Sequence, residues 1–188
     1  MKIKILSVLL LLSLFCSVLF VACDDTTDDA GSAEGSVGLE YKTSDDGKSC
    51  TITGMGTCTD KDLKIPEKID GLKVVAIGAS AFSKNTELSS VIVPFGVKMI
   101  ATNAFLACPS LSYVVLPGTL EKISSSAFRD CELLGKIYYE GTPSEWEDIS
   151  IGGQNDPLQS ASRLYYSDIR PESGGNYWHY VDGKPAQW

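Results

Sequence analysis

The chain has 188 residues, 44% hydrophobic and 21% charged, enough apolar side chain for a core of single-domain size. Sixteen basic against 24 acidic residues give a net charge of -8, which becomes -10 without the first 22 residues, where Lys2 and Lys4 stand and no acid does. No cluster of Lys and Arg is present, so the composition excludes nucleic acid as a partner, because phosphate binding depends on such clusters.

Residues 1–22 read as an export signal. Lys2 and Lys4 form a positive start, and residues 5–21 are apolar except for Ser7, Ser13, Cys16 and Ser17. The run is short for a membrane span of ~20 residues, and small residues follow it. The segment Phe20-Val21-Ala22-Cys23 resembles a bacterial lipobox, departing from it at Phe20, where Leu is usual. That resemblance implies a lipid on Cys23 and a membrane partner reached through it. Several acyl chains hold a soluble domain where one would not. An ordinary cleaved signal or an uncleaved anchor is the alternative. Residues 23–39 read as a flexible acidic tether, with Asp24, Asp25, Asp28 and Asp29 followed by GSAEGSVG. The acidic run would also serve as a sorting signal for the outer surface. It lacks the ligand spacing and glycine turn of a calcium loop.

Residues 40–73 predict a β-rich cap or partial first repeat. Gly54-Met55-Gly56 suggests a hairpin turn, across which Cys50 and Cys58 would face each other, bridged or free. From residue 74 a repeat begins. Ala81-Phe82, Ala104-Phe105 and Ala127-Phe128 recur at intervals of 23 residues, as do Ile77, Ile100 and Ile123, and Leu88, Leu111 and Leu134. The columns Val74, Val97, Leu120, then Val91, Val114, Ile137, then Val93, Leu116, Tyr139 keep the same interval. Such self-similarity is the signature of a solenoid in which each copy buries its apolar edge only against its neighbours. Leu88, Val91 and Val93 point inward, the latter two from a short strand of period 2, and Pro94 and Pro117 end their strands. Leu63, Ile65 and Pro66 match Val91, Val93 and Pro94 after a five-residue insertion. Residues 74–140 thus hold three full coils. Residues 141–166 predict a C-terminal cap: a strand over 136–140, a short helix near 144–149 with a capping box read from Thr142-Pro143 followed by Ser144 and Glu147, a loop, and one last strand over 163–166. Residues 167–188 form an aromatic-rich tail that suits a hairpin.

The spacing and the Ala-Phe and strand-end Pro columns resemble the BspA-like leucine-rich repeats of bacterial and protozoan surface proteins. The resemblance covers about residues 40–165 and the tail. It implies an α/β-type repeat solenoid, a short array of 23-residue coils with β-rich caps, and adhesion to host matrix or other cells. Cys108 and Cys131, also 23 apart, would sit on adjacent coils within disulfide reach. The resemblance implies free thiols in that column.

No catalytic device stands out. His179 is the only histidine, and it sits among aromatics near the C-terminus. There is no GxSxG, HExxH or phosphate loop, no Cys-x-x-Cys pair for zinc, and no cofactor motif. Glu145, Glu147 and Asp148 read as the solvated face of a short helix rather than as a carboxylate pair. Two surfaces are candidates for binding. If Val91 and Val93 point inward, Ile92, Tyr113, Val115 and Tyr138 point outward, an apolar column typical of protein contact. In the tail, Tyr177, Trp178, Tyr180 and Trp188 resemble one unit of the aromatic wall-binding repeats that hold glycan-linked choline. The expected protein is a lipid-anchored binding protein of a bacterial cell surface, with a glycan- or cell-wall-binding module or a periplasmic structural lipoprotein as the alternatives. Its partner would be an extracellular protein or a glycan.

Overall fold

The structure is a computed structural model and describes residues 35–172 and 174–188. The export signal, Cys23 and most of the tether lie outside the described residues. In chain order the strands are β1 (Glu40–Thr43), β2 (Ser49–Gly54), β3 (Asp62–Lys64), β4 (Lys68–Ile69), β5 (Leu72–Ile77), β6 (Ser90–Ile92), β7 (Met99–Ile100), β8 (Tyr113–Leu116), β9 (Lys122–Ile123) and β10 (Lys136–Tyr139). Helix α1 (Pro143–Glu147), β11 (Ser150–Ile151), helix α2 (Asp156–Ser160), β12 (Ser162–Tyr166), β13 (Tyr177–Val181) and β14 (Lys184–Gln187) follow.

The strands alternate between two sheets, as a chain must when it winds as a coil with two flat sides. One sheet, A, runs β1-β2-β5-β7-β9-β11, with β4 also paired to β5; the other, B, runs β14-β13-β12-β10-β8-β6-β3. Leu63 pairs with Val91, Val91 with Val114, Val114 with Ile137, and Ile137 with Arg163, all in parallel. The successive offsets are therefore 28, 23, 23 and 26 residues, and the solenoid makes about five turns rather than the three that regular spacing suggests. The five-residue insertion read between Leu63 and Val91 is accommodated with that register intact. Among the described residues helix is confined to α1 and α2, five residues each. The architecture is that of a β-solenoid, and the α/β description does not fit it.

The inward columns form one core. Phe82, Phe105 and Phe128 stack with centroids 5.2 and 5.1 Å apart, and each ring is essentially without solvent contact. Burying a side chain of this size is worth about 2 kcal/mol, with up to ~1 kcal/mol more per ring pair. Ala81, Ala104 and Ala127 leave room for the rings. Between the sheets the backbone turns through the left-handed region at Ser80, Asn103 and Ser126 (φ 57, 60 and 59°) and again at Lys84, Ala107 and Asp130 (φ 63, 55 and 59°). Two left-handed residues per coil, none of them glycine, each cost about 1 kcal/mol and are held by their place in the stack.

Each coil bonds forward to the next: the Phe82 N–H donates to Ala104 O and the Phe105 N–H to Ala127 O, both 2.8 Å. Phe128 has no further alanine ahead of it. Its N–H donates instead to the side-chain Oδ1 of Asn155 at 3.0 Å, while the Asn155 amide donates to Ser124 O and Gly152 O at 3.0 and 2.8 Å. Gln154 repeats the left-handed turn (φ 61°). Gln154-Asn155 thus stand where Ser126-Ala127 stand one coil earlier, and an amide side chain ends the ladder.

Two local expectations need correction. The N-terminal hairpin joins β1 to β2 through residues 44–48; Gly54-Met55-Gly56 leads from sheet A to sheet B, because β2 pairs with β5 and β3 with β6. The capping box of α1 pairs Thr142 with Glu145, not Glu147: the Thr142 hydroxyl accepts from the Glu145 N–H, and the Thr142 N–H donates to Glu145 Oε2 at 2.7 Å. Residues 162–166 form a strand, with which β13 of the tail pairs in parallel before β14 returns antiparallel. All four described cysteines are buried free thiols. Cys108 and Cys131 donate to Phe82 O and Phe105 O at 3.2 and 3.0 Å. The neighbouring Cys108 thiol and burial push the Cys131 thiol well up.

Candidate binding face

The outer side of sheet B is set by the same alternation that fills the core. Val91, Val114 and Ile137 face in, so Ile92, Val115, Tyr138 and Leu164 form one in-register row facing out. Tyr113 lies in the neighbouring row, between Ser90 and Lys136. These outward side chains form a second apolar cluster, separate from the core. Val115, Tyr138, Leu164 and Trp178 are 0, 6, 1 and 0% exposed, with Ile92, Tyr113 and Tyr166 half-buried around them. Of the four residues expected to face a ligand, Ile92 and Tyr113 are therefore partly open, while Val115 and Tyr138 are covered.

The cover is the tail. Trp178, on β13, lies 5.4 Å from the Tyr138 ring and 5.1 Å from Tyr166, edge to face. Its indole N–H donates to Tyr139 O at 3.0 Å. The Tyr180 hydroxyl donates to Glu140 at 2.7 Å. Burial raises the Glu140 carboxyl above the ordinary glutamate value, Tyr180 works against that by hydrogen bonding, and Glu67 adds to it. Leu164, Tyr166 and Glu140 were not anticipated as parts of this face; extending the outward row one strand beyond Tyr138 would have found Leu164.

The tail aromatics do not converge. Trp178 and Tyr180 lie together, 4.9 Å apart, and share one side of β13. Tyr177 and His179 alternate to the other side. Trp188 stacks on His179 at 3.6 Å, and its indole N–H donates to Ser167 O at 2.9 Å. The four residues are thus split between two sides, and three of their polar groups are engaged within the chain. His179 Nε2 is buried without a hydrogen-bond partner. On α1, Glu145, Glu147 and Asp148 are exposed and Trp146 is buried, with Arg163 stacked 4.1 Å over its ring. Among the described residues no group of His, Cys, Asp and Glu is placed to hold a metal. No helix among them is long and apolar enough to cross a membrane.

Residues 57–151 match the family model described as the BspA-type leucine-rich repeat region, in six copies. Three solved structures share the fold. A leucine-rich-repeat protein from T. pallidum is 24% identical, with 69% of each chain covered and a TM-score of 0.54. One from Bacteroides capillosus is 25% identical over 64% of this chain and 99% of that one, with a TM-score of 0.50. One from Bacteroides ovatus is 16% identical over 68% of this chain and 42% of that one, with a TM-score of 0.51. No curated protein matches the chain.

Proposed function

Because the chain belongs to the BspA-type leucine-rich repeat family, we propose that it is a lipid-anchored binding protein of a bacterial cell surface. Its short solenoid takes a protein partner and serves adhesion to host matrix or to other cells. The observation that carries this reading is the open part of the outer face of sheet B. Ile92 and Tyr113 stand half-exposed on flat parallel strands, continuous with the covered cluster of Val115, Tyr138 and Trp178. A flat apolar strip backed by immobile residues loses little conformational entropy on contact, and aromatic anchors of this kind dominate the energy of protein interfaces. The anchor is placed at Cys23 by the lipobox-like Phe20-Val21-Ala22-Cys23.

Three experiments test the reading. Lysine at Ile92 or Tyr113 should abolish adhesion of cells displaying the protein while leaving its melting temperature within a few degrees; undiminished adhesion by both variants removes this face. Protease applied to unbroken cells should destroy the domain. Protection until lysis would put it in the periplasm and end the adhesion reading. Cys23→Ala should release the protein from the membrane fraction, and retention there would show that the anchor is not a lipid on that thiol.

A further inference from the structure

The open part of the outer face is complementary to itself. One row that crosses it runs Asp62, Ser90, Tyr113, Lys136, in register on four neighbouring strands. It is acidic at one end and basic at the other. Both end residues are exposed, and among the described residues neither has an ion-pair partner. The Asp62 carboxylate accepts a hydrogen bond from the Ser90 hydroxyl at 2.6 Å. A half-turn about a line between β6 and β8, parallel to the strands, brings the row of a second copy over this one with opposite charges facing. Asp62 of each copy then opposes Lys136 of the other.

The same half-turn matches tall side chains to low ones. Ile92 and Tyr113 stand half-exposed, whereas Val115 and Ser90 are 0 and 2% exposed. Ile92 of one copy is set over Val115 of the other, and Tyr113 over Ser90. Pro94 and Pro117 hold equivalent places one coil apart, so Phe95, 66% exposed, is set over Gly118, which has no side chain. Nothing in the coil requires a phenylalanine at that turn, since Glu67 and Gly118 stand at the equivalent places on either side.

We propose that the partner taken by this face is a second copy of the chain, in a two-fold pair closed by Asp62 and Lys136 and seated by Ile92, Tyr113 and Phe95. The proposal rests on the reading of this face as a protein-binding surface. A two-fold contact uses one self-complementary patch on both partners. Four short strands cover far less than the ~800 Å² per partner of a stable interface, so the pair is weak in solution and gains strength from many copies on two facing surfaces. The ion pairs set the register and reject mismatched contacts more than they add affinity. The half-turn also runs the two solenoids in opposite directions. Ser36 lies at the β3 end, where its N–H donates to Lys64 O at 2.6 Å. The N-terminal sides of the two copies are therefore at opposite ends of the pair, as anchors in two facing membranes require. The adhesion is then between like cells.

Beads coated with the full chain, coupled through its N-terminal end, test the pairing. They should clump with one another. Asp62→Lys and Lys136→Asp should each reduce clumping about tenfold, because like charges then face each other at both ends. A mixture of the two variants should clump as the unaltered chain does, because each supplies the charge that the other lacks. Phe95→Ser should reduce clumping with no charge altered. Melting temperatures within a few degrees of the unaltered chain would show that the coils are intact. Should Asp62→Lys melt early for want of its bond to Ser90, Lys136→Asp and Phe95→Ser, both at exposed positions, decide the matter. Dispersed beads of the unaltered chain, or undiminished clumping of these variants, overturns the proposal, as does a mixture of two well-folded charge variants that stays dispersed. Dispersed beads together with continued adhesion of displaying cells to host matrix would overturn the pairing and leave the adhesion reading standing. Clumping without adhesion to matrix would support the pairing alone.

Discussion

The two faces of sheet B are built from the same strands and obey different rules. On the inner face, every residue is dictated by its equivalents one coil away: Val91, Val114 and Ile137 pair in register, and the Phe stack runs beside them. On the outer face, Ile92, Val115 and Tyr138 also pair in register, but what covers them comes from outside the repeat, chiefly Trp178 of the tail. Inner order is therefore a property of each coil and its neighbours, whereas outer order depends on one appended hairpin. The consequence is a graded face, covered at Val115, Tyr138 and Leu164 and half-open at Ile92 and Tyr113.

This contrast can be broken by experiment. Phe105→Ala removes the middle ring of the stack and should cost about 4 kcal/mol in urea unfolding, the largest effect, because it has ring neighbours on both sides. Asn155→Ala should cost about 2–3 kcal/mol by the same measurement, since it strands the Phe128 N–H and the Gly152 carbonyl. Trp178→Ala should cost less global stability than Phe105→Ala and instead make residues 167–188 sensitive to limited proteolysis. Equal destabilisation, with the tail still resistant, would mean that the hairpin folds as one unit with the coils and that the two faces do not differ.

The smallest effect should come from Glu140. Its carboxyl is raised in the folded state by burial, so its protonated form is favoured there. The stability it contributes is full below the ordinary glutamate value and is lost as pH rises through the raised one. The tail should dock more firmly on the acid side of that window. Glu140→Gln should flatten the dependence, measured as tail proteolysis against pH; an unaltered profile would assign it to another group.

The inner face was legible in the sequence because its periodicity is strict: columns at 23-residue intervals identify the coil, and the match of Leu63 with Val91 across an insertion fixes a register. Sheet direction was legible too, since inward Val91 and Val93 force Ile92 outward. Three things were not. Gln154-Asn155 continue the Ser126-Ala127 pair at an offset of 28 residues, and an asparagine side chain replacing a backbone carbonyl leaves no trace in hydrophobic periodicity. The left-handed turns at Ser80, Lys84 and Ala107 use residues with no preference for that conformation, imposed by the stack. The cover of Tyr138 depends on a long-range contact from Trp178, which local pattern does not encode. At the N-terminal end, Gly54-Met55-Gly56 carries turn chemistry, but only pairing partners decide whether a turn closes a hairpin or crosses between sheets.

The forward-donating ladder, closed by Asn155, gives the array a direction and a removable end. Since each coil meets only its neighbours and the closing amide bonds only to the last coil and its own turn, at the Phe128 N–H, Ser124 O and Gly152 O, a duplicated 23-residue unit inserted between residues 116 and 117 would find its donors and acceptors already waiting. The protein would lengthen by ~4.8 Å with neither terminus redesigned. Length in this chain is thus a variable that gene duplication can change in whole steps, and with it the reach of the open face.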